Sequence, residues 1–342
     1  MSLKVIKFVA GGGKTTEAMK IFKKSKRCIY LAFNNKVVDE ISQKGFLSKT
    51  IDSLFVSFII PKLINLIPLI SNTSKIKYFN KEKTKNASLS NGVPNINLKN
   101  DGFLYNKNSK TCISLSMENI ELHKRGNFPN SIFIKHIFQK DKLVLSDQMR
   151  KDLSNYLLLN YNDKIAKIME ERFDIVIIDE AQDLKDYYEK FAQILSETNL
   201  EVYVFGDDFQ NINGGGDWFE NLESNEYKSH SYRCPEENCR WIRENLQIEI
   251  YGTNNGGGIY KIDFNEAHNY DDKNRVLLYY SSTKATMTII DAWTGPKYTI
   301  KKAKGMTIDQ DIVIIGKELN LKNFYTAITR TRKKCFTTAT LK

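Results

Sequence analysis

Phe173-Asp174-Ile175-Val176-Ile177-Ile178-Asp179-Glu180-Ala181-Gln182-Asp183 is a short apolar run that stops abruptly at paired carboxylates. A run of this length and composition reads as a strand covered on both faces, as in a parallel sheet. Such sheets bind ligands just outside the carboxyl ends of their strands. Asp179 and Glu180 stand at that end. There Asp179 can hold a magnesium ion, directly or through water, and Glu180 can orient and deprotonate an attacking water. The competing reading is a solvated acidic turn after a core strand.

Outward from this block, residues 5–10, 28–33 and 202–206 read as further buried strands. Residues 14–24 read as a helix with Ala18, Ile21 and Phe22 on one face, and 185–196 as another through Tyr188, Phe191 and Leu195. Strands alternating with helices imply an α/β fold with a parallel sheet flanked by helices. Residues 275–280 and 311–315 read as strands of a second parallel sheet, with 323–334 as its closing helix. The span 71–108 is rich in Asn, Lys, Ser and Gly and reads as a loop-rich insertion. Its Lys-rich run, 75–85, is either a phosphate contact or a solvated face. Residues 214–216 and 252–258 read as flexible glycine punctuation.

Phe8-Val9-Ala10-Gly11-Gly12-Gly13-Lys14-Thr15 follows one strand and opens a helix, the context a phosphate-binding loop needs. Glycines let backbone N–H groups turn toward phosphate, and the helix N-terminus adds favourable partial charge. Lys14 then reaches the β- and γ-phosphates and Thr15 ligates magnesium. The general pattern carries Gly where Phe8 stands, and a plain glycine turn before a surface helix is the alternative. Another strand ends in Gly206-Asp207-Asp208-Phe209-Gln210-Asn211-Ile212, where a glutamine can bond a water or a γ-phosphate.

The 342 residues suffice for two or three domains. The net charge of +11 suits a polyanionic partner. Five cysteines at scattered spacing argue against a disulfide framework and for a reducing, intracellular compartment such as cytoplasm or nucleus. The richest apolar stretch, 51–70, is broken by Asp52, Pro61, Lys62 and Pro68, short of the roughly 18 uninterrupted apolar residues that cross a bilayer, so no membrane partner is expected.

Taken in order, these blocks resemble the superfamily 1 helicases, closest to the UvrD/Rep group. Leu31-Ala32-Phe33-Asn34-Asn35-Lys36 resembles the block after the phosphate loop, and Thr50-Ile51-Asp52-Ser53-Leu54-Phe55 the Thr-x-x-Ser-Phe block that touches the nucleic-acid strand. Asp179-Glu180-Ala181-Gln182-Asp183 is the family's acidic block and the run ending at Gln210 its Gly-Asp-x-x-Gln block. Ser231-Tyr232-Arg233-Cys234-Pro235 resembles the block whose arginine contacts the γ-phosphate. Thr299-Ile300-Lys301-Lys302-Ala303-Lys304-Gly305-Met306-Thr307 resembles the Lys-Gly block, and Tyr325-Thr326-Ala327-Ile328-Thr329-Arg330 the closing block with its arginine finger.

The resemblance implies two RecA-like P-loop NTPase lobes with an insertion in the first. Residues 1–56 and 171–230 form the first lobe, 57–170 the insertion and 231–342 the second lobe. It implies ATP and Mg2+ as cofactors, bound by Ala10, Gly11, Gly12, Gly13, Lys14, Thr15, Thr16 and Gly305, with Thr15 and Asp179 on the metal. Glu180, Gln210, Arg233 and Arg330 become the catalytic set. Phe33, Asn34, Thr50, Ser53, Trp218, Thr299 and Lys301 become the contacts to single-stranded nucleic acid, DNA or RNA, with DNA favoured. Replication or repair proteins are the expected partners, and 3′→5′ the expected polarity.

This chain also departs from the UvrD pattern. Asn213-Gly214-Gly215-Gly216 occupies the stretch where relatives carry base-stacking aromatics, so Trp218 is either their substitute or a core residue. Thr307 stands where UvrD-like proteins carry glutamate, a form closer to the RecD-like branch, and Tyr-Arg-Cys-Pro also resembles RNA-virus helicases. The short spacing from Arg233 to Thr299 leaves no room for the large second-lobe insertion. Besides a helicase, the sequence admits an ATPase that remodels protein–nucleic-acid complexes without unwinding, and an ATP-gated binding subunit.

Overall fold

The structure, a computed structural model, describes residues 2–33, 35–63, 75–78, 103–106, 111–114, 138–139, 142–145, 147–281 and 283–342. The chain divides into two compact units, one built from 34–174 and 186–200, the other from 2–33, 175–185 and 201–342. Among the described residues no helix is long and apolar enough to cross a membrane.

The first unit is mainly helical. Thr50 caps the short helix Ile51–Leu54 by accepting from the Ser53 N–H, and a π-helical segment Phe55–Ile59 continues from it. Phe55 packs edge-on against both Tyr187 and Phe191 of the helix Tyr187–Ser196, and Phe58 meets Phe173 at the end of Asn162–Arg172. The span expected to be loop-rich contains strands. Lys75–Tyr78 pairs in parallel with Lys142–Leu145, and Phe103–Asn106 pairs antiparallel with Thr111–Ser114. Residues 79–85 of the lysine-rich run lie outside the described residues.

The second unit holds two large parallel sheets and two two-stranded ones. In the first, neighbouring strands run in the order Glu226–Lys228, Ser2–Phe8, Glu201–Gly206, Ile175–Ile178 and Cys28–Ala32. Ile175–Ile178 and Cys28–Ala32 are buried at every position, as strands covered on both faces must be. Phe8 occupies the place of the missing glycine as a core residue, edge-on to Phe205.

The other sheet is five-stranded, in the order Ile259–Lys261, Cys335–Thr337, Ile312–Ile315, Val276–Tyr279, Lys297–Thr299. Its side chains alternate between two cores. Val276, Leu278, Ile312 and Ile314 face the helices Glu236–Leu246 and Leu321–Ile328, in a core that also takes in Val9 and Ala10 of the phosphate loop. Leu277, Val313 and Ile315 face Ile290 and Trp293 on the opposite side.

Two sequence expectations change here. The closing helix is Leu321–Ile328, capped by the Asn320 side chain, and does not reach residue 334. Residues beyond it turn back because Thr331 bridges Ile308 and the Arg332 N–H donates to Ile308 O. The glycines read as punctuation are structural. Gly252 lies inside the strand Tyr251–Asn254, paired with His230–Pro235. Gly216 N–H donates to Leu184 O and Gly215 N–H to Asn211 Oδ1.

Candidate active site

Each strand of the first sheet that carries a block ends at the same rim. Ser2–Phe8 runs into the phosphate loop, Ile175–Ile178 into Asp179 and Glu180, and Glu201–Gly206 into Asp207. The helix Lys14–Phe22 starts from Gly13, whose φ of +86° an L side chain would resist. Gly11 is required for space: a Cβ there would stand 2.7 Å from Arg233 Cβ. The strand His230–Pro235 lies along the loop, with Tyr232 N–H donating to Gly11 O and Ser231 Oγ–H donating to Ala10 O. The loop and the Tyr-Arg block are thus held together by one main-chain bond and one from the Ser231 hydroxyl.

Lys14 Nζ sits 2.6 Å from Glu180 Oε1 and 3.7 Å from Asp179 Oδ1. Burial works against its charge, but the two carboxylates more than offset that and raise its pKa. The pair is unequal. Burial opposes ionisation of Glu180, yet Lys14 and Lys304 overcome it and bring the carboxyl down to about 2. Asp179, farther from Lys14, is raised by burial. Its carboxylate accepts from the Tyr30 hydroxyl and the Glu180 N–H. Glu180 itself has a φ of +54°, a left-handed conformation uncommon for a residue with a side chain. Such backbone strain is typical of functional sites.

Asp207 and Gln210 extend the site. Asp207 is buried, which raises its carboxyl to about 6, and it accepts from Gln210 Nε2 at 2.6 Å. Gln210 Oε1 accepts in turn from Arg330 NH2 at 3.0 Å. Arg330 is fully buried and also donates to Thr326 O and Thr329 Oγ1. Burial, and then the nearby Arg233, lower its pKa to about 9, so it remains a cation at neutral pH. Arg233 donates to Met306 O and Thr307 Oγ1, and its Nε is buried without a partner. Among the described residues neither arginine pairs with a carboxylate. The orphaned guanidinium N–H of half-buried Arg233 and the fully buried cation of Arg330 suit a polyphosphate anion. Thr15, half-buried in the first helical turn, and Asp179 are the groups available to a magnesium ion there. Thr16 is exposed on the same turn, and Gly305 forms an exposed turn just before Met306.

Lys304 stands apart from Lys301 and Lys302, its neighbours in the Lys-Gly block. Lys304 Nζ is buried against Asp183 at 2.6 Å and also donates to Gln210 O, while Lys301 and Lys302 stay exposed. Asn213 completes the grip on Asp183 at 3.1 Å. Three-residue spacing along a short helix carried a signal for this inward turn, because Ile300 and Ala303 mark the buried side. Tyr30 and Tyr325 were also missed as site residues; a tyrosine in an apolar run gives no sequence signal of what its hydroxyl will touch.

Thr50 and Ser53 belong to the helical unit, where the Thr50 hydroxyl is engaged as an N-cap. Phe33, Trp218, Thr299 and Lys301 belong to the other unit. The Thr299 hydroxyl also serves as an N-cap, accepting from the Lys302 N–H, and Trp218 is half-buried. Asn34 lies outside the described residues.

A family model described as the viral superfamily 1 RNA helicase core domain matches residues 133–338, and one described as the UvrD/REP helicase N-terminal domain matches residues 17–214. No curated protein matches the chain. Among solved structures, it is similar to the arterivirus nonstructural protein 10 helicase in complex with DNA, at 12% identity and TM-score 0.47, covering 98% of this chain and 60% of that one. It is likewise similar to the PRRSV helicase, at 12% identity and TM-score 0.46, covering 98% of this chain and 52% of that one. The chain thus spans between 52% and 60% of the length of these structures.

Proposed function

The chain belongs to the superfamily 1 helicases, and from that membership we propose that it is an ATP-driven motor that moves along single-stranded nucleic acid and separates the duplex ahead of it. The observation that carries this reading is the buried contact of Arg330 with Gln210, which joins the closing block to the rim that holds Lys14 and Glu180.

In this reading residues 1–56 with 171–230 are the first lobe, 57–170 its insertion and 231–342 the second lobe. Lys14 and the N–H groups of Gly11, Gly12 and Gly13 hold the phosphates, with Ala10, Thr16 and Gly305 shaping the pocket. Thr15 and Asp179 would hold a magnesium ion, whose charge would offset that of the phosphates. Glu180, ionised at neutral pH, orients the water and accepts its proton. Gln210 reports on the site to Arg330, and Arg233 and Arg330 stabilise charge that grows in the transition state. Closing and reopening of the two lobes around that chemistry supplies the step.

The track is formed by Phe33, Asn34, Thr50, Ser53, Trp218, Thr299 and Lys301, with DNA preferred to RNA and movement 3′→5′. The match to the UvrD/REP model supports the polarity, and the net charge of +11 supports a phosphate-tracking surface. The protein works in a reducing compartment with replication or repair proteins, a setting that suits its free, buried Cys28, Cys234, Cys239 and Cys335.

The test is ATP hydrolysis with and without single strands, then unwinding of duplexes carrying 3′ or 5′ tails in DNA and in RNA. Stimulated hydrolysis and unwinding from 3′-tailed DNA are expected. Stimulated hydrolysis without strand separation would reassign the chain to remodelling of protein–nucleic-acid complexes. Hydrolysis indifferent to nucleic acid would end the motor reading.

A further inference from the structure

Tyr325 is buried completely, and its hydroxyl stands between two parts of the site. It accepts from the Ala10 N–H at 3.0 Å and donates to Asp207 Oδ2 at 3.2 Å. The same Asp207 oxygen accepts from Gln210 Nε2, and Gln210 Oε1 accepts from Arg330. Ala10, Tyr325, Asp207, Gln210 and Arg330 thus form one unbroken hydrogen-bonded chain. It starts in the phosphate loop and ends at the arginine beyond Tyr325's own helix, Leu321–Ile328.

We propose that Tyr325 is a positioning residue that couples the phosphate loop to Gln210 and Arg330 through its hydroxyl, an inference that rests on the ATPase reading of the site. The ring and the hydroxyl have separable roles. The ring packs against Phe209 in the apolar core, a place phenylalanine would fill equally well. The hydroxyl adds nothing to that packing. It has a single proton, given to Asp207, and spends its acceptor side on Ala10. Burial holds the phenol well above its usual pKa, so the proton stays available to donate. A shift of the loop therefore moves the hydroxyl, and the hydroxyl moves the carboxylate that fixes the Gln210 amide. A buried polar chain of this kind transmits displacement because each member has only one good arrangement.

The experiment compares Tyr325→Phe, Asp207→Asn and the double variant with the full wild-type chain. It measures kcat and KM for ATP with and without a single-stranded oligonucleotide, and a thermal midpoint for each protein. Tyr325→Phe should keep KM within about twofold and lower kcat about tenfold, what one hydrogen bond of ordinary net strength is worth in rate. Stimulation by the oligonucleotide should fall with it. Asp207→Asn should behave likewise, and the double variant should be no slower than the slower single, because both cut one chain. If Tyr325→Phe does not fold, Asp207→Asn decides alone: lower kcat at unchanged KM supports the relay, and unchanged kcat overturns it. Wild-type kcat in Tyr325→Phe, or losses that multiply in the double variant, overturns the relay while leaving the ATPase reading intact. A wild-type chain that hydrolyses no ATP overturns both.

Discussion

Lys14 Nζ lies 2.6 Å from Glu180 Oε1, so the cation of the phosphate loop and the carboxylate proposed as base neutralise one another. Anion binding at the loop must compete with that pair. The lysine then trades one set of oxygens for another, and Glu180 is freed as it does so.

The two residues separate by substitution. Lys14→Ala should damage both ATP binding and turnover, because the charge acts in the ground state and the transition state. Glu180→Gln should bind ATP almost normally and lose about 10²–10⁴-fold in rate, the usual contribution of a positioned base. Nucleotide affinity and steady-state turnover measured on each variant check this. Near-normal turnover in Glu180→Gln would remove Glu180 from the catalytic role.

The same pair has a pH signature. The folded Glu180 carboxyl titrates at about 2, below its ordinary 4.5. A carboxyl depressed by folding adds stability above the unfolded value and loses it as pH falls through the folded one. Thermal midpoints of wild type and Glu180→Gln should therefore differ most at pH 6 and converge as pH falls from about 4.5 to about 2. A gap that is constant across that window would show that the ion pair contributes no net stability.

Among the described residues Arg330 is a buried cation without a carboxylate partner, and buried charge is costly. Arg330→Met should keep the core filled and cut turnover by about 10³-fold or more. ATP binding should stay nearly intact, since a finger acts mainly in the transition state. Arg233→Ala should resemble it in rate but also weaken ATP binding. Wild-type turnover in Arg330→Met would remove the finger assignment.

Lys301 and Lys304, neighbours in one block, should respond oppositely. Lys304→Met strands the buried Asp183 carboxylate and should destabilise by about 3–5 kcal/mol, while Lys301→Met should leave the thermal midpoint unchanged. Lys301→Met should instead weaken single-strand binding and make its salt dependence shallower by about one ion. Unchanged stability in Lys304→Met would mean that its contact with Asp183 carries little.

Gly215 is packed rather than mobile: a Cβ there would stand 2.1 Å from Gln182 O. Gly215→Ala should cost about 2–3 kcal/mol and, by pushing on the segment after Glu180, slow ATP turnover. A chemical-denaturation midpoint equal to wild type would show that the loop yields freely.

Legibility followed burial. Strands such as Ile175–Ile178 and Ile312–Ile315 were evident because sheets covered on both faces demand continuous apolar runs. The phosphate loop and acidic block were evident because their chemistry fixes residue types at short spacing. What stayed hidden joins distant segments. The Lys304–Asp183 pair spans 121 residues, and the Tyr325–Asp207 contact spans 118. No local pattern encodes such meetings. The helix expected to reach residue 334 failed for the same reason, since the Ile308–Thr331 bridge that stops it is also made at a distance.

Ser2 is in register with Glu201, and Lys7 with Gly206, so the first strand has its central partner about 200 positions downstream. A ribosome adds about 5–20 residues per second, which puts roughly 10–40 s between the appearance of the two strands. Throughout that interval Val5, Ile6 and Phe8 have no permanent neighbour. The order in which the chain is made therefore delays the phosphate loop. It takes shape only after the acidic block has been synthesised.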